Sequence, residues 1–225
     1  MTGHGHNEAY RAISVTPCCP QIGAEIGNID LTRPLTDLEL AELRRAFTEN
    51  LVLFFRDQKI SFEDHVRLGE YFGPLGAHVG SKTISKTTDA SMYEAYDALS
   101  DRMKTHLEGL TALHDGTRVF GEGTPKSNHP VIARHPESGR KLIYVNCEFT
   151  TRINDVPEEE SAALLSYLID HCARPEWSYR FRWQPHSIAF WDNRCTHHMA
   201  VSDYLPAVRS GYRVQVEGSA PPVAA

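Results

Sequence analysis

The sequence lacks a long apolar run, and it also lacks any feature of a secretory leader. Its longest uninterrupted apolar stretch covers only residues 51–55, whereas a helix needs roughly 20 apolar residues to cross a bilayer. The first six residues contain neither a basic region nor an apolar core, so we expect no signal peptide. A cytoplasmic protein is therefore the expectation, and no membrane partner is predicted.

An excess of positive charge is also missing. Lys and Arg total 23 against 29 Asp and Glu, which gives a formal net charge of −6 at pH 7. A protein that binds a phosphate backbone usually has a positively charged surface, because electrostatic attraction supplies most of the binding energy. We therefore expect no nucleic-acid partner.

The sequence contains no Cys-x-x-Cys pair, so a zinc ribbon is excluded. Its five cysteines are an odd number, which fits reduced thiols better than a disulfide framework. The twelve histidines are a high share of the chain. Metal chemistry therefore has to be considered, since imidazole is a common metal ligand.

Neither an internal repeat nor a Pro/Gly/Ser-rich linker divides the chain, so we expect one domain over residues 1–225. Capping patterns and apolar spacing predict helices over residues 36–47, 61–71 and 91–110. They also predict a fourth helix that ends at about residue 173, with Asp155 as its cap and Pro157 as its first residue. Residues 51–55 predict a buried strand. Short β-rich segments then predict an antiparallel sheet system over residues 131–134, 141–145, 179–183, 187–191 and 212–216. Together these elements predict an α+β fold, a sandwich or jelly roll with flanking helices.

The last predicted strand brings two arginines together. Alternation along a strand puts Arg209, Gly211, Arg213 and Gln215 on one face. If that face lines the interior, the two guanidinium groups need anionic partners. A dicarboxylate ligand would satisfy them, because the guanidinium fork matches a carboxylate. The alternative is a solvated edge strand with two exposed arginines.

The adjacent histidines His197 and His198 follow another predicted strand. Neighbouring residues of a regular strand point to opposite faces, so at most one of the two can bind a given metal ion. The alternative role for either residue is that of a structural histidine with satisfied hydrogen bonds.

Several segments in a fixed order resemble the taurine dioxygenase/TfdA family. They include Ile22-Gly-Ala-Glu-Ile-Gly-Asn-Ile-Asp-Leu31, Leu53-Phe-Phe-Arg-Asp57, His129-Pro-Val131, Trp191-Asp-Asn-Arg194 and Asp203-Tyr-Leu-Pro206. The resemblance extends from about residue 13 to residue 216. It implies a double-stranded β-helix (jelly roll) and an Fe(II)- and 2-oxoglutarate-dependent dioxygenase, which needs O2 and releases succinate and CO2. A homo-oligomer is compatible with the same resemblance.

The resemblance also assigns the metal and co-substrate residues. The distal iron-binding histidine of the family falls on His198, and His197 falls on a position that is not a ligand. Arg213 matches the arginine that holds the remote carboxylate of 2-oxoglutarate, and Arg209 matches the one near its C1 carboxylate. We treat these assignments as expectations that follow from the resemblance.

The resemblance also assigns three substrate-contacting residues, but pocket residues vary with the substrate, so these assignments are less specific. His78 matches a histidine that contacts the substrate in taurine enzymes, and Phe120 and Phe149 match aromatic walls of the substrate pocket. The two phenylalanines could equally belong to the core. The resemblance implies a small, anionic substrate, either taurine-like or aryloxyalkanoate-like.

The sequence departs from the family at the remaining iron ligands. Those ligands come from a His-x-Asp motif, and no histidine of this chain is followed two positions later by Asp. Three are followed at that spacing by Glu, namely His6, His106 and His135. None stands where the family has the motif, so we assign all three to the surface or to the structure.

Three hypotheses follow from this departure. In the first, the protein is an active dioxygenase, and a segment of a few tens of residues is missing between about residues 82 and 90, where Ala90 would begin abruptly as the body of a helix. In the second, the chain is a truncated, non-catalytic relative that binds a small carboxylate or acts as an interaction domain. In the third, it is a cupin-like sugar-binding module. The retained His198, Arg209 and Arg213 favour the first.

Overall fold

A computed structural model describes residues 9–76, 88–199, 201, 206, 210–218, 220 and 222–225. The helices of this part of the chain are α1 Asp37–Asn50, α2 Phe62–Glu70, α3 Met92–Asp97, α4 Asp101–Leu107, α5 Thr117–Phe120 and α6 Glu158–Cys172. The strands are β1 Ser14–Pro17, β2 Ala24–Gly27, β3 Val52–Phe55, β4 Thr88–Ser91, β5 Thr111–Asp115, β6 Lys126–Pro130, β7 Ile132–Arg134, β8 Lys141–Ile143, β9 Thr150–Ile153, β10 Ser178–Arg180, β11 Ile188–Trp191, β12 Thr196–Met199 and β13 Val223–Ala224.

The buried strand predicted over residues 51–55 is the centre of a four-stranded sheet. The strand order is β1-β2-β3-β11, with β2 parallel to β3 and the other pairs antiparallel. Every residue of β3 is buried, because one face packs against α1 and the other faces the main core. A strand covered on both faces is uniformly apolar, which explains why the longest apolar run of the sequence lies here.

A second sheet carries the predicted iron-binding histidine. It has the order β10-β4-β12, so β4 is paired on both of its edges. Its register sets Asp89 opposite both Tyr179 of β10 and His198 of β12. Pairing continues past the end of β4, where the Met92 amide donates to the Cys195 carbonyl over 3.0 Å. The relative positions of β4 and β12 are therefore well constrained.

Two further three-stranded sheets, β6-β5-β9 and β13-β7-β8, complete the described β-structure. Helices α3 and α6 contribute buried side chains to the same apolar cluster as β7, β8 and β9. No helix among the described residues is long and apolar enough to cross a membrane. All five cysteine thiols are free.

The predicted helix over residues 91–110 is wrong in its continuity. The structure has two short helices there, because Ser91 caps α3 and Ser100 accepts a hydrogen bond from the Met103 amide to begin α4.

The predicted start of α6 is also wrong by one position. Pro157 is its N-cap rather than its first residue, and Asp155 adopts a positive φ of 60° in the preceding turn.

The predicted strand over residues 212–216 is not formed. Only Val216 makes a β-bridge, with Leu75, and Arg213 is exposed, so the predicted interior-facing pair of arginines is not supported. The expectation that Ala90 opens a helix is also wrong, because Ala90 lies in β4. Of the predicted junction over residues 82–90, residues 82–87 lie outside the described part of the chain.

The ring of Phe54 joins the first sheet to the segment that follows β10. Phe54 is fully buried and stacks on Phe181 with a centroid distance of 4.0 Å and an interplanar angle of 8°. We expect Phe54→Ala to lower the free energy of unfolding by about 3–5 kcal/mol, because it leaves a cavity in the core. Urea unfolding would measure the loss. The control Phe62→Ala removes a ring that is 55% exposed and should cost less than about 1 kcal/mol; equal costs would contradict this account of the core.

Candidate functional site

The paired strands β4 and β12 set a carboxylate beside the predicted iron-binding histidine. Asp89 and His198 are directly opposite each other, and opposite residues of an antiparallel pair share a face with Cβ atoms about 4.5–5.5 Å apart. Asp89 is fully buried. The imidazole of His198 packs against Trp191 with ring centroids 4.9 Å apart. The site therefore offers an imidazole nitrogen and carboxylate oxygens on one face of a sheet.

Asp89 was not among the residues predicted from the sequence, and no motif marks it. In Thr87-Thr88-Asp89 a threonine stands two positions before the aspartate, where the family motif has its first histidine.

His197 lies in the same regular strand and pairs with Ala90 rather than Asp89. It therefore belongs to the opposite face of the sheet from His198, as the strand alternation predicts. Burial lowers the pKa of His197 to about 4, with smaller contributions from His198 and His114. His197 is consequently neutral at pH 7.

Arg213 lies near His198 although the strand predicted over residues 212–216 is not formed. Burial lowers the pKa of His198, and the positive charge of Arg213 lowers it further, so the guanidinium lies within electrostatic range of the imidazole. Arg213 is exposed as a residue, yet burial lowers its own pKa as well, which indicates that the guanidinium is partly shielded. The second predicted arginine, Arg209, lies outside the described residues.

The two predicted substrate aromatics are brought together. Phe120 at the end of α5 and Phe149 just before β9 stack with centroids 5.7 Å apart at 18°. The Asp115 amide donates to the Phe149 carbonyl over 2.8 Å, which ties the second ring to β5. Phe120 is 44% exposed, so the alternative that it belongs to the core is wrong. His78, the third predicted substrate residue, lies outside the described residues.

Of the histidines set aside in the sequence, His135 belongs to a buried polar network. Together with Asp192 and Cys195 it forms the one group of three potential metal donors, within 4.8 Å of one another, in the part of the chain that the structure describes. The Ser138 amide donates to His135 Nδ1 over 3.2 Å. With Nδ1 accepting this bond, Nε2 is the nitrogen that donates to Asp192 Oδ2 over 3.1 Å.

Hydrogen bonds occupy the potential metal-binding atoms of His135 and Asp192. Burial alone would raise the pKa of Asp192, but hydrogen bonds from Arg194 and His135 outweigh it and lower the pKa. Arg194 donates to the same carboxylate through Nε and Nη2, the latter over 2.6 Å. Burial raises the pKa of the Cys195 thiol well above its ordinary value. These three residues therefore have a structural role, as predicted for His135.

Comparison with known proteins identifies a consistent set of relatives. A family model described as "Taurine catabolism dioxygenase TauD, TfdA family" matches residues 14–89 and 85–215. A crystal structure of a taurine dioxygenase from Burkholderia xenovorans is 30% identical and superposes with a TM-score of 0.86, covering 95% of this chain and 92% of that one. The predicted double-stranded β-helix with flanking helices is therefore confirmed.

Two curated enzymes match at lower identity. The alpha-ketoglutarate-dependent sulfate ester dioxygenase of Pseudomonas putida is 25% identical over 93% of this chain and 91% of its own length. The alpha-ketoglutarate-dependent 2,4-dichlorophenoxyacetate dioxygenase of Cupriavidus pinatubonensis is 24% identical over 83% of this chain and 91% of its own. Both matches extend over most of the chain.

The chain is shorter than such a relative inside the matched region. The alignment with the P. putida enzyme runs over 275 residues, whereas 93% of 225 residues is about 209, so about 66 alignment positions lie opposite gaps in this chain. The two family-model matches overlap at residues 85–89, inside the predicted junction. The missing segment stays a prediction, because residues 77–87 lie outside the described part.

Two partly buried histidines, His114 and His197, make stability sensitive to acid. Burial, reinforced by the neighbouring His129, lowers the pKa of His114 to about 4, and His197 has a pKa of about 4 as well. In the unfolded chain both return to their ordinary value of 6.5, so unfolding takes up protons between these values. Stability should be fully present above pH 6.5 and should fall as the pH drops towards 4.

We expect the free energy of unfolding to decrease by about 1 kcal/mol per histidine between pH 7 and pH 5, after allowance for solvent screening. Urea unfolding at the two pH values measures this decrease. His114→Asn should remove part of the pH dependence, whereas His106→Asn, an exposed position on α4, should leave it unchanged. A His114→Asn variant with the full wild-type dependence would refute the assignment.

Proposed function

Because the chain belongs to the TauD/TfdA family of Fe(II)- and 2-oxoglutarate-dependent dioxygenases, we propose that it hydroxylates a small, anionic organic substrate at the face that carries His198. Iron bound there would activate O2 together with 2-oxoglutarate, so that one oxygen atom would enter the substrate as a hydroxyl group and the other would enter succinate, with release of CO2. The protein itself has to bind the reactants, orient them and keep water away.

The observation that carries the proposal is the family match over residues 14–89 and 85–215; the positive charge of Arg213, which lowers the pKa of His198, is consistent with it. If 2-oxoglutarate bound a metal at His198 through its keto acid group, its other carboxylate would need a partner elsewhere in the protein. A guanidinium group binds such a carboxylate through two parallel hydrogen bonds. We assign this role to Arg213, and the C1 carboxylate to Arg209.

The donors on the described residues fit Fe(II) only in part. Imidazole nitrogen and carboxylate oxygen are both ligands of non-haem iron sites, and His198 and Asp89 supply one of each. No further Cys, His, Asp or Glu donor joins this pair within 4.8 Å among the described residues, where the His135 network is the single three-donor group. We therefore assign no reaction step to the metal in this chain as it stands.

The substrate class is inferred from the pocket wall and from the relatives. Phe120 and Phe149 offer a stacked, partly exposed apolar surface that suits an alkyl or aryl group. The relatives carry the names of taurine, sulfate ester and 2,4-dichlorophenoxyacetate dioxygenases, whose substrates all combine an organic body with an anionic group. We propose a taurine-like or aryloxyalkanoate-like substrate, with His78 contacting its anionic group.

A second candidate function is supported by the incomplete donor set. A non-catalytic relative would still bind 2-oxoglutarate or a similar small carboxylate through Arg213, but would not convert it. In the active enzyme, a segment that this sequence lacks would supply the first histidine and the carboxylate of the His-x-Asp motif. Succinate formation from 2-oxoglutarate with Fe(II) and O2 separates the two. The cupin-like sugar-binding hypothesis is set aside, because the family model covers most of the chain.

We expect Arg213→Leu to weaken 2-oxoglutarate binding by at least about tenfold, equivalent to about 1.4 kcal/mol, because the distal carboxylate loses its charged partner. Calorimetric titration of 2-oxoglutarate in the presence of Mn(II) gives the dissociation constant. The matched control Arg102→Leu removes an exposed guanidinium on α4 and should bind like wild type. A dissociation constant for Arg213→Leu within twofold of the wild-type value would contradict the assignment of Arg213 to the distal carboxylate.

A further inference from the structure

Two cysteines stand next to each other in the loop that connects β1 and β2. Cys18 and Cys19 are the only adjacent pair among the five cysteines of the sequence. Both thiols are free, and both residues are partly exposed. Of the other three, Cys172 and Cys195 are buried, and Cys147 is exposed but has no cysteine beside it. The loop therefore offers two thiol groups to one small molecule.

The backbone of this loop is held by hydrogen bonds. The Cys18 amide donates to the Gly23 carbonyl over 2.8 Å, and the Gly23 amide donates to the Asn50 carbonyl over 2.9 Å. Pro20 follows the pair, and a residue that precedes proline is largely restricted to extended conformations. Both cysteine side chains pack against the main apolar cluster. The loop therefore has little conformational freedom to lose when a ligand binds, which favours binding.

Both sulfur atoms carry protons that a ligand has to remove. Burial raises the pKa of the Cys18 thiol, and a hydrogen bond with Tyr179 only partly offsets this effect. The Cys19 thiol donates to the Ile22 carbonyl over 3.0 Å, and a thiol is a weak donor that gives up such a bond at low cost. A ligand that bonds to both sulfurs therefore needs two leaving groups that accept these protons.

The adjacency of Cys18 and Cys19 restricts the kind of bond that can join them. Neighbouring Cα atoms are about 3.8 Å apart, whereas a relaxed disulfide spans roughly 4.4–6.8 Å. An atom inserted between the two sulfurs enlarges the ring and relieves this strain. Zinc usually needs four ligands, but neither cysteine belongs to a group of three metal donors in the described part of the chain. The pair therefore suits an atom that requires two sulfur bonds.

We propose that Cys18 and Cys19 form a dithiol site for trivalent organoarsenic compounds. In water such a compound carries one carbon group and two hydroxyl groups on arsenic. Each thiol forms an S–As bond while an As–O bond breaks, and the thiol proton leaves with the hydroxyl group as water. Two water molecules are released, arsenic stays trivalent, and no oxidant or reductant is required. The site is independent of the proposed function, because it uses no residue assigned to metal, 2-oxoglutarate or substrate.

The probe for the first test is phenylarsine oxide, which takes up water to give the dihydroxy form. The wild-type chain is mixed with it at pH 7 in an excess of 2-mercaptoethanol, a monothiol that removes arsenic held by a single sulfur. Intact-mass spectrometry should show one phenylarsenic group per chain and the loss of two hydrogens. The dithiol 2,3-dimercaptopropanol should release the group, because it competes for both arsenic bonds. A wild-type chain without this adduct would overturn the inference.

The second test compares serine variants by the concentration of 2-mercaptoethanol that removes half of the adduct. Cys18→Ser and Cys19→Ser should each weaken binding at least about a hundredfold, because one sulfur alone lacks the advantage of a linked pair. The matched control Cys147→Ser removes an exposed single thiol and should bind like wild type. Thermal unfolding verifies that each variant is folded. Affinity within threefold of wild type in Cys18→Ser or Cys19→Ser, or loss of binding in Cys147→Ser, would overturn the assignment of the site.

Discussion

The hydrogen bonds of Asp192 hold the turn between β11 and β12 and therefore fix the position of His198. The Asp192 amide donates to the Leu51 carbonyl over 3.1 Å, which ties the turn to the first sheet. Its carbonyl accepts from Thr196 Oγ1 over 2.7 Å at the start of β12. Its carboxylate is held by Arg194 and His135. Because the Asp192 carboxylate is buried, loss of the Arg194 guanidinium would leave its charge without compensation, and the strand that carries His198 would lose its anchor.

Much of this arrangement follows from local patterns in the sequence. The apolar residues of β3 predicted a strand covered on both faces, and all four are buried. The capping pattern before α1 predicted its start, and Thr36 and Glu39 form the reciprocal cap. The alternation rule predicted that His197 and His198 point to opposite faces. Such features depend on neighbours a few residues apart, which is why the sequence alone reveals them.

Other features depend on contacts that no local pattern encodes. Asp89 has no motif around it, and it becomes a candidate ligand only because β4 pairs with β12, more than 100 residues later. Alternation predicted that Arg213 lies in an interior strand, but the segment forms a single bridge at Val216. Its guanidinium nevertheless approaches His198. The role of Arg213 thus depends on where the segment is placed, and less on its secondary structure.

The proposed activity requires a metal ion and a 2-oxoglutarate molecule to bind together between His198 and Arg213. Anaerobic titration of the wild-type chain with Fe(II) and 2-oxoglutarate tests this most directly, because a chelate of the two produces a weak visible charge-transfer band. We predict that the band appears only when both are present and that it saturates at one equivalent of iron per chain. A chain that shows no band with both components in excess would contradict the account.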